Sequence, residues 1–280
     1  YMLSPVPWRV RAPSSPMFPS PSLVRSVNPD FAFAWNNLGN VLRDMGKLKD
    51  SAEKCRKALE LEPNYPEALN NLGNALTDMG ELVESQECYK KAVTLKPDYV
   101  EAHNNLSVSL MKLSRFEDAK THARIALSYR EDYLDALLSL SLACRALGEM
   151  EEAEKAIQRA LSLQPESAEV RVDLADVLFM QDRYGEAEIE WRKAQEYSPS
   201  TPRVYLKLAD VLERGNKPEE ALAAIDEAIE INAEMPEAYL RKGQIYFLTN
   251  RPDRAEECFN ETLVLKDNAA EAHLAFVDLH

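Results

Sequence analysis

The sequence predicts an all-α chain built as a solenoid of helix pairs, and three observations carry that expectation. The same residue classes return every 34 residues, seven times from Ala32 to Ala269, without an insertion or deletion. Within each copy, apolar residues fall three, four and seven positions apart, the spacing of an amphipathic helix. Each copy is also interrupted near its middle by a residue that, in most copies, tolerates the left-handed conformation. The repeats begin at residues 32, 66, 100, 134, 168, 202 and 236, and a partial eighth begins at 270.

The first helix of the first repeat is marked by Trp35, Leu38, Val41 and Leu42, and the second by Ala52, Cys55, Ala58, Leu59 and Leu61. Gly46 lies between them, and the equivalent place is taken by Gly80, Gly148, Asn216 and Asn250. Ser114 and Asp182 are poorer left-handed residues, which predicts turns that are tighter or closed differently. Pro66, Pro202 and Pro236 open first helices, while Pro218 and Pro252 open second helices, where a missing N–H costs nothing. With Trp35 counted as position 4, position 7 is leucine in six repeats and Lys242 in the seventh. Position 8 stays small (Gly39, Gly73, Ser107, Ser141, Ala175, Ala209, Gly243), as do positions 20 and 27. Small side chains there let helices approach closely, and stacked repeats share a core that no single repeat completes.

This set of positions at a 34-residue period resembles the tetratricopeptide repeat (TPR) family. The resemblance implies a right-handed superhelix of seven helix-turn-helix repeats plus the partial eighth, with first helices lining a concave groove. It also implies that positions 2, 5, 6, 9, 12 and 13 face inward. Those positions hold Asn37, Asn71 and Asn105 at position 6 and Asn40 and Asn74 at position 9. Further along they turn apolar, with Leu138, Leu142, Phe179, Met180, Leu206 and Phe247. A primary amide both donates and accepts, so a column of asparagines suits the backbone of an extended peptide. The column resembles the one in the superhelix of O-GlcNAc transferases, but after three rungs it gives way to Ser139, Asp173, Lys207 and Arg241. The carboxylate clamp of chaperone-binding TPR domains is incomplete: Asn36 stands where a lysine is required, and Glu101 and Asn105 where bases are.

The net charge of −14 is unevenly spread: the first repeat is +1, and repeats four to six are −3, −4 and −4. Nucleic acid requires a basic stripe, so it is not an expected partner, and an anionic membrane surface is disfavoured for the same reason. No apolar run approaches the length of a membrane span. Cys55, Cys88, Cys144 and Cys258 sit at or beside core positions without metal-ligand spacing, so they read as packing residues. No Walker loop, GxGxxG, HExxH or nucleophile elbow occurs, and the four histidines look too few and too separated for catalysis. The expectation is no catalytic residue, no metal and no cofactor.

Residues 1–31 form a separate, proline-rich segment, with seven prolines that favour an extended course, expected to lie against a TPR surface. The reading that follows is a cytoplasmic, non-catalytic scaffold that binds a protein or peptide in its groove. The alternative is the substrate-recognition region of a larger transferase, O-GlcNAc-transferase-like or another. A further expectation is self-association through the uncapped end from Ala270 to His280.

Overall fold

A computed structural model describes residues 31–266, 269 and 270. The proline-rich segment up to residue 30, and the partial eighth repeat beyond Ala270 with its expected self-association, lie outside the described residues. Among the described residues there are fourteen α-helices and no strand, which bears out the all-α expectation. They are α1 (Ala32–Asp44), α2 (Leu48–Leu61), α3 (Pro66–Asp78), α4 (Leu82–Leu95), α5 (Val100–Lys112), α6 (Phe116–Tyr129) and α7 (Leu134–Leu147). The order continues with α8 (Met150–Leu163), α9 (Ala168–Met180), α10 (Tyr184–Tyr197), α11 (Pro202–Arg214), α12 (Pro218–Ile231), α13 (Pro236–Leu248) and α14 (Pro252–Leu265). Odd-numbered helices are the first helices of successive repeats.

The chain forms two compact units, one ending at Pro97 and the other beginning at Asp98. In the first, α1 packs on α2, α2 on α3 and α3 on α4, around Ala52, Cys55, Leu72, Ala75, Leu76 and Cys88. In the second, each helix from α6 onward packs on its sequence neighbours, and a core centred on Trp191 extends from Leu137 to Phe259.

All seven mid-repeat turns place one residue at positive φ, including Ser114 at 57° and Asp182 at 60°. Each closes with the same bond from the following backbone N–H to a carbonyl five residues back. Lys47 reaches Leu42 at 2.9 Å, Arg115 reaches Leu110 at 2.9 Å and Arg183 reaches Leu178 at 3.0 Å. The expectation that Ser114 and Asp182 would close their turns differently is therefore corrected. The closure satisfies carbonyls stranded at the end of the first helix, and that gain offsets a left-handed penalty of about 1–2 kcal/mol. Prolines occupy the first turn of α3, α11, α12, α13 and α14.

The close approach of helices rests on an exchange of volume between position 8 and position 24. In two repeats a large ring at position 24 lies over glycine at position 8: a Cβ on Gly73 would stand 2.6 Å from the Tyr89 ring, and one on Gly243 2.4 Å from Phe259. Trp191 faces Ala175 in the same register, and Ile157 and Ile225 face Ser141 and Ala209.

All four cysteines are free and buried. Burial pushes the Cys55 and Cys88 thiols up to about 11 and Cys144 to about 12, and it raises Cys258 as well. Since the thiolate is the reactive species, the folded chain is expected to leave an aromatic disulfide reagent almost untouched at neutral pH. All four thiols should react once the chain is unfolded in urea, and rapid labelling of any of them in the native state would contradict their placement. Among the described residues, no helix is long and apolar enough to cross a membrane.

Candidate functional site

The first helices of repeats five to seven, α9, α11 and α13, lie in the second unit and present equivalent faces. Position 5 contributes Val172, Leu206 and Leu240, half-buried side chains that rest on the core. Positions 6 and 9 contribute charge. Asp173 and Asp176 of α9 stand 3.5 and 3.4 Å from Arg145 of α7, and Asp176 stands 3.4 Å from Lys207 of α11. Asp210 of α11 accepts from Arg241 Nε of α13 at 2.9 Å, and Arg241 also donates to Gln244 at 3.2 Å. These bridges tie each first helix to the next. Burial pushes the Asp173 carboxyl up, and Arg145 opposes the shift.

Between the helices lie two hollows. The larger, about 640 Å³, is lined by Arg203, Leu206, Lys207 and Asp210 of α11, by Met235 at the amino end of α13, and by Glu237, Leu240, Arg241 and Gln244 of α13. The smaller, about 370 Å³, is lined by Glu169, Val172, Asp173 and Asp176 of α9, Ser198 and Thr201 of the connection, and Arg203, Val204 and Lys207 of α11. They meet at Arg203 and Lys207. An apolar floor with a charged rim is the chemistry of a peptide groove, where burial contributes affinity and charge sets register.

Arg203 breaks a local rule. Position 2 falls in the first turn of each first helix and is acidic at Glu67, Glu101, Asp135, Glu169 and Glu237, where carboxylates meet the helix dipole favourably. The first turn of α11 has no acid and carries Arg203 instead, at a cost of about 0.3–1 kcal/mol. Glu67 pairs with Lys96 at 3.0 Å and Glu101 with Arg130 at 2.9 Å. The residues equivalent to Lys96 and Arg130 in repeats five and six are Ser198 and Asn232, whereas repeat seven keeps a cation there, Lys266. Glu169, Arg203 and Glu237 make no ion pair among the described residues.

The structure brings only part of the sequence-predicted site together. Leu206 lies in the larger hollow. Leu138 is half-buried on the core, and Leu142, Met180 and Phe247 are exposed. Phe179 is packed: its ring meets Tyr184 at 5.2 Å and Trp191 at 5.6 Å, with the Arg214 guanidinium over its face at 5.0 Å. In the first unit, Asn37 and Asn40 are exposed on α1. Asn71 Nδ2 donates to Asn36 Oδ1 at 2.9 Å, and Asn74 Oδ1 accepts from the Tyr89 hydroxyl at 2.7 Å. In the second unit, Asn105 is half-buried, and Ser139 Oγ donates to buried Asn104 Oδ1 at 2.9 Å. Part of the asparagine pattern thus joins first helices to one another. The sequence signal overlooked was the single basic residue at position 2.

The histidines are less separated than expected. His103 and His122 bring their Nδ1 atoms to 3.1 Å with rings stacked at 5.3 Å, so one ring donates to the other. Cys144, Glu149 and Glu152 also cluster within 4.8 Å. The two carboxylates already hold cations, Lys120 on Glu149 at 2.7 Å and Arg124 on Glu152 at 2.5 Å, so the cluster is a poor metal site.

The family described as TPR repeat matches residues 39–80 and 73–114. Two families described as tetratricopeptide repeat match 104–168 with 206–272, and 145–211. No curated protein matches the chain. Among solved structures, a tetratricopeptide repeat protein from Parabacteroides merdae is similar at 20% identity and TM-score 0.70, over 89% of this chain and 98% of that one. Pseudomonas aeruginosa pilF is similar at 19% identity and TM-score 0.63, over 76% and 97%. YrrB, described as a TPR protein with an unusual peptide-binding site, is similar at 22% identity and TM-score 0.56, over 67% and 96%. At such identities the likeness establishes the fold. None of these matches points to the repeats of O-GlcNAc transferases in particular, and they do not favour the transferase reading.

Proposed function

Because the chain belongs to the tetratricopeptide repeat family, we propose that it is a non-catalytic scaffold that holds an extended segment of a partner protein along α9, α11 and α13. The observation that carries this reading is the pair of adjoining hollows, floored by Val172, Leu206 and Leu240 and rimmed by charge. Such a floor buries apolar side chains of a ligand, while the charged rim selects among sequences. In the first unit, Asn37 and Asn40 stand one helical turn apart on α1 and offer exposed amides to a peptide backbone.

The test is affinity capture with the intact chain and with the double variant Leu206→Gln, Leu240→Gln, followed by mass spectrometry. Both changes keep a side chain of comparable bulk and remove the apolar floor. Proteins retained by the unaltered chain are expected to fall about tenfold in yield, because losing two apolar contacts exceeds the 1.4 kcal/mol that a tenfold change in affinity represents. Circular dichroism melting confirms that the variant is folded. A folded double variant that captures the same proteins at the same yield removes this face from the binding site.

A further inference from the structure

The hollows of the second unit differ from an ordinary charged surface in how their charges are satisfied. Asp173, Asp176, Lys207, Asp210 and Arg241 are engaged with one another or with Arg145. Three charged side chains lining the same hollows are not engaged in any ion pair among the described residues: Glu169, Arg203 and Glu237. All three hold position 2, on α9, α11 and α13 in turn, so their order along the groove is negative, positive, negative. A ligand can pair with these three without first breaking a bond inside the protein. Placing the cation at the amino end of α11, where the helix itself disfavours it, is a local cost that a ligand carboxylate would recover.

We infer that this groove takes an extended peptide in which one acidic residue stands between two basic ones, about three residues from each. The inference rests on the groove reading above and adds the ligand's charge order. The spacing follows from geometry. Successive first helices are linked side chain to side chain, by Lys207 to Asp176 at 3.4 Å and by Arg241 to Asp210, and helices in such contact lie on the order of 10 Å apart. An extended chain advances roughly 3.3 Å per residue and so meets equivalent positions about every third residue. The order basic, acidic, basic is the same in either chain direction, so the polarity of the bound segment does not affect the match. Val172, Leu206 and Leu240 receive the uncharged residues between. The two repeats that supply Glu169 and Arg203 each carry a net charge of −4, which draws in a segment that is basic on balance. A bare phosphate is disfavoured, because the only cation in the hollows without an ion pair among the described residues, Arg203, would stand between two carboxylates.

Fluorescence anisotropy of the full chain with three labelled nine-residue peptides tests the inference at low ionic strength. The peptides share an alanine and leucine background and carry basic-x-x-acidic-x-x-basic, the reverse order, or glutamine at all three places. The first is expected to bind at least about tenfold more tightly than the reverse, with the difference shrinking in high salt. In Arg203→Glu the first peptide is expected to weaken by roughly tenfold or more, and a fourth peptide, basic at all three places, to become the preferred ligand. Since that change places a carboxylate where the helix favours one, the variant should melt no lower than the unaltered chain, which separates lost recognition from lost folding. Equal binding of all three peptides overturns the charge order and leaves the groove reading standing. Binding by none of them overturns both.

Discussion

Replacing Trp191 with alanine is expected to lower the stability of the unit beginning at Asp98 by about 3–5 kcal/mol, the range for deleting a fully buried large aromatic. Trp191 has no exposed surface and anchors the core that runs from Leu137 to Phe259. Among the described residues the indole N–H finds no partner, so the site bears the cost of one buried unpaired donor. Trp191→Phe removes that donor along with some volume and should therefore cost far less, under about 1.5 kcal/mol. Urea titration followed by circular dichroism measures both variants. An alanine variant as stable as the parent would mean that this core contributes little to holding α9, α10 and α11 together.

The second large effect is a reversal of sign between two glycines given the same methyl group. Gly243→Ala should destabilise by about 1–3 kcal/mol, because the added carbon would lie 2.4 Å from a Phe259 ring that is itself buried and cannot move aside. Gly185→Ala, on an exposed turn of α10 with nothing within 4 Å of the new carbon, should stabilise by about 0.5–1 kcal/mol through helix propensity. Thermal melts of the two variants should move in opposite directions. A downward shift for both, or an upward shift for Gly243→Ala, would contradict the packing of α13 on α14.

How legible these features were in the sequence depends on how far apart the residues that create them lie. The helix pairs and turns are local, so Pro202, Gly148 and the alternation of small and large residues announce them within one repeat. Gly73 and Tyr89 are sixteen residues apart and still inside one repeat, yet their exchange of volume becomes visible only when the helices are laid against each other. The tandem asparagines illustrate a different obstacle. Asn36 is buried and Asn37 exposed, because Asn36 turns toward Asn71 of the next repeat, and adjacent identical side chains cannot declare which will do so. His103 and His122 meet across two helices that periodicity treats as separate. The division between Pro97 and Asp98 falls in the same kind of connection as every other repeat boundary, so residue pattern does not mark it. Glu169, Arg203 and Glu237 needed the pairing of every other nearby charge to be known before their lack of partners carried meaning.

The tertiary bonds between first helices have a consequence for how such a chain changes over generations. Asn71 to Asn36 and Ser139 to Asn104 each reach 35 residues along the chain, one repeat and a single residue more. A stretch of 34 residues can therefore be duplicated or excised in the gene and leave every surviving module with a neighbour in the proper phase, whereas a change of any other length displaces all later side chains around their helices. On the groove reading proposed above, the count of modules becomes a heritable ruler for the length of segment gripped, adjustable in steps of about three ligand residues. On the same reading, point substitutions at position 2 rewrite which segment is chosen, without disturbing the modules on either side.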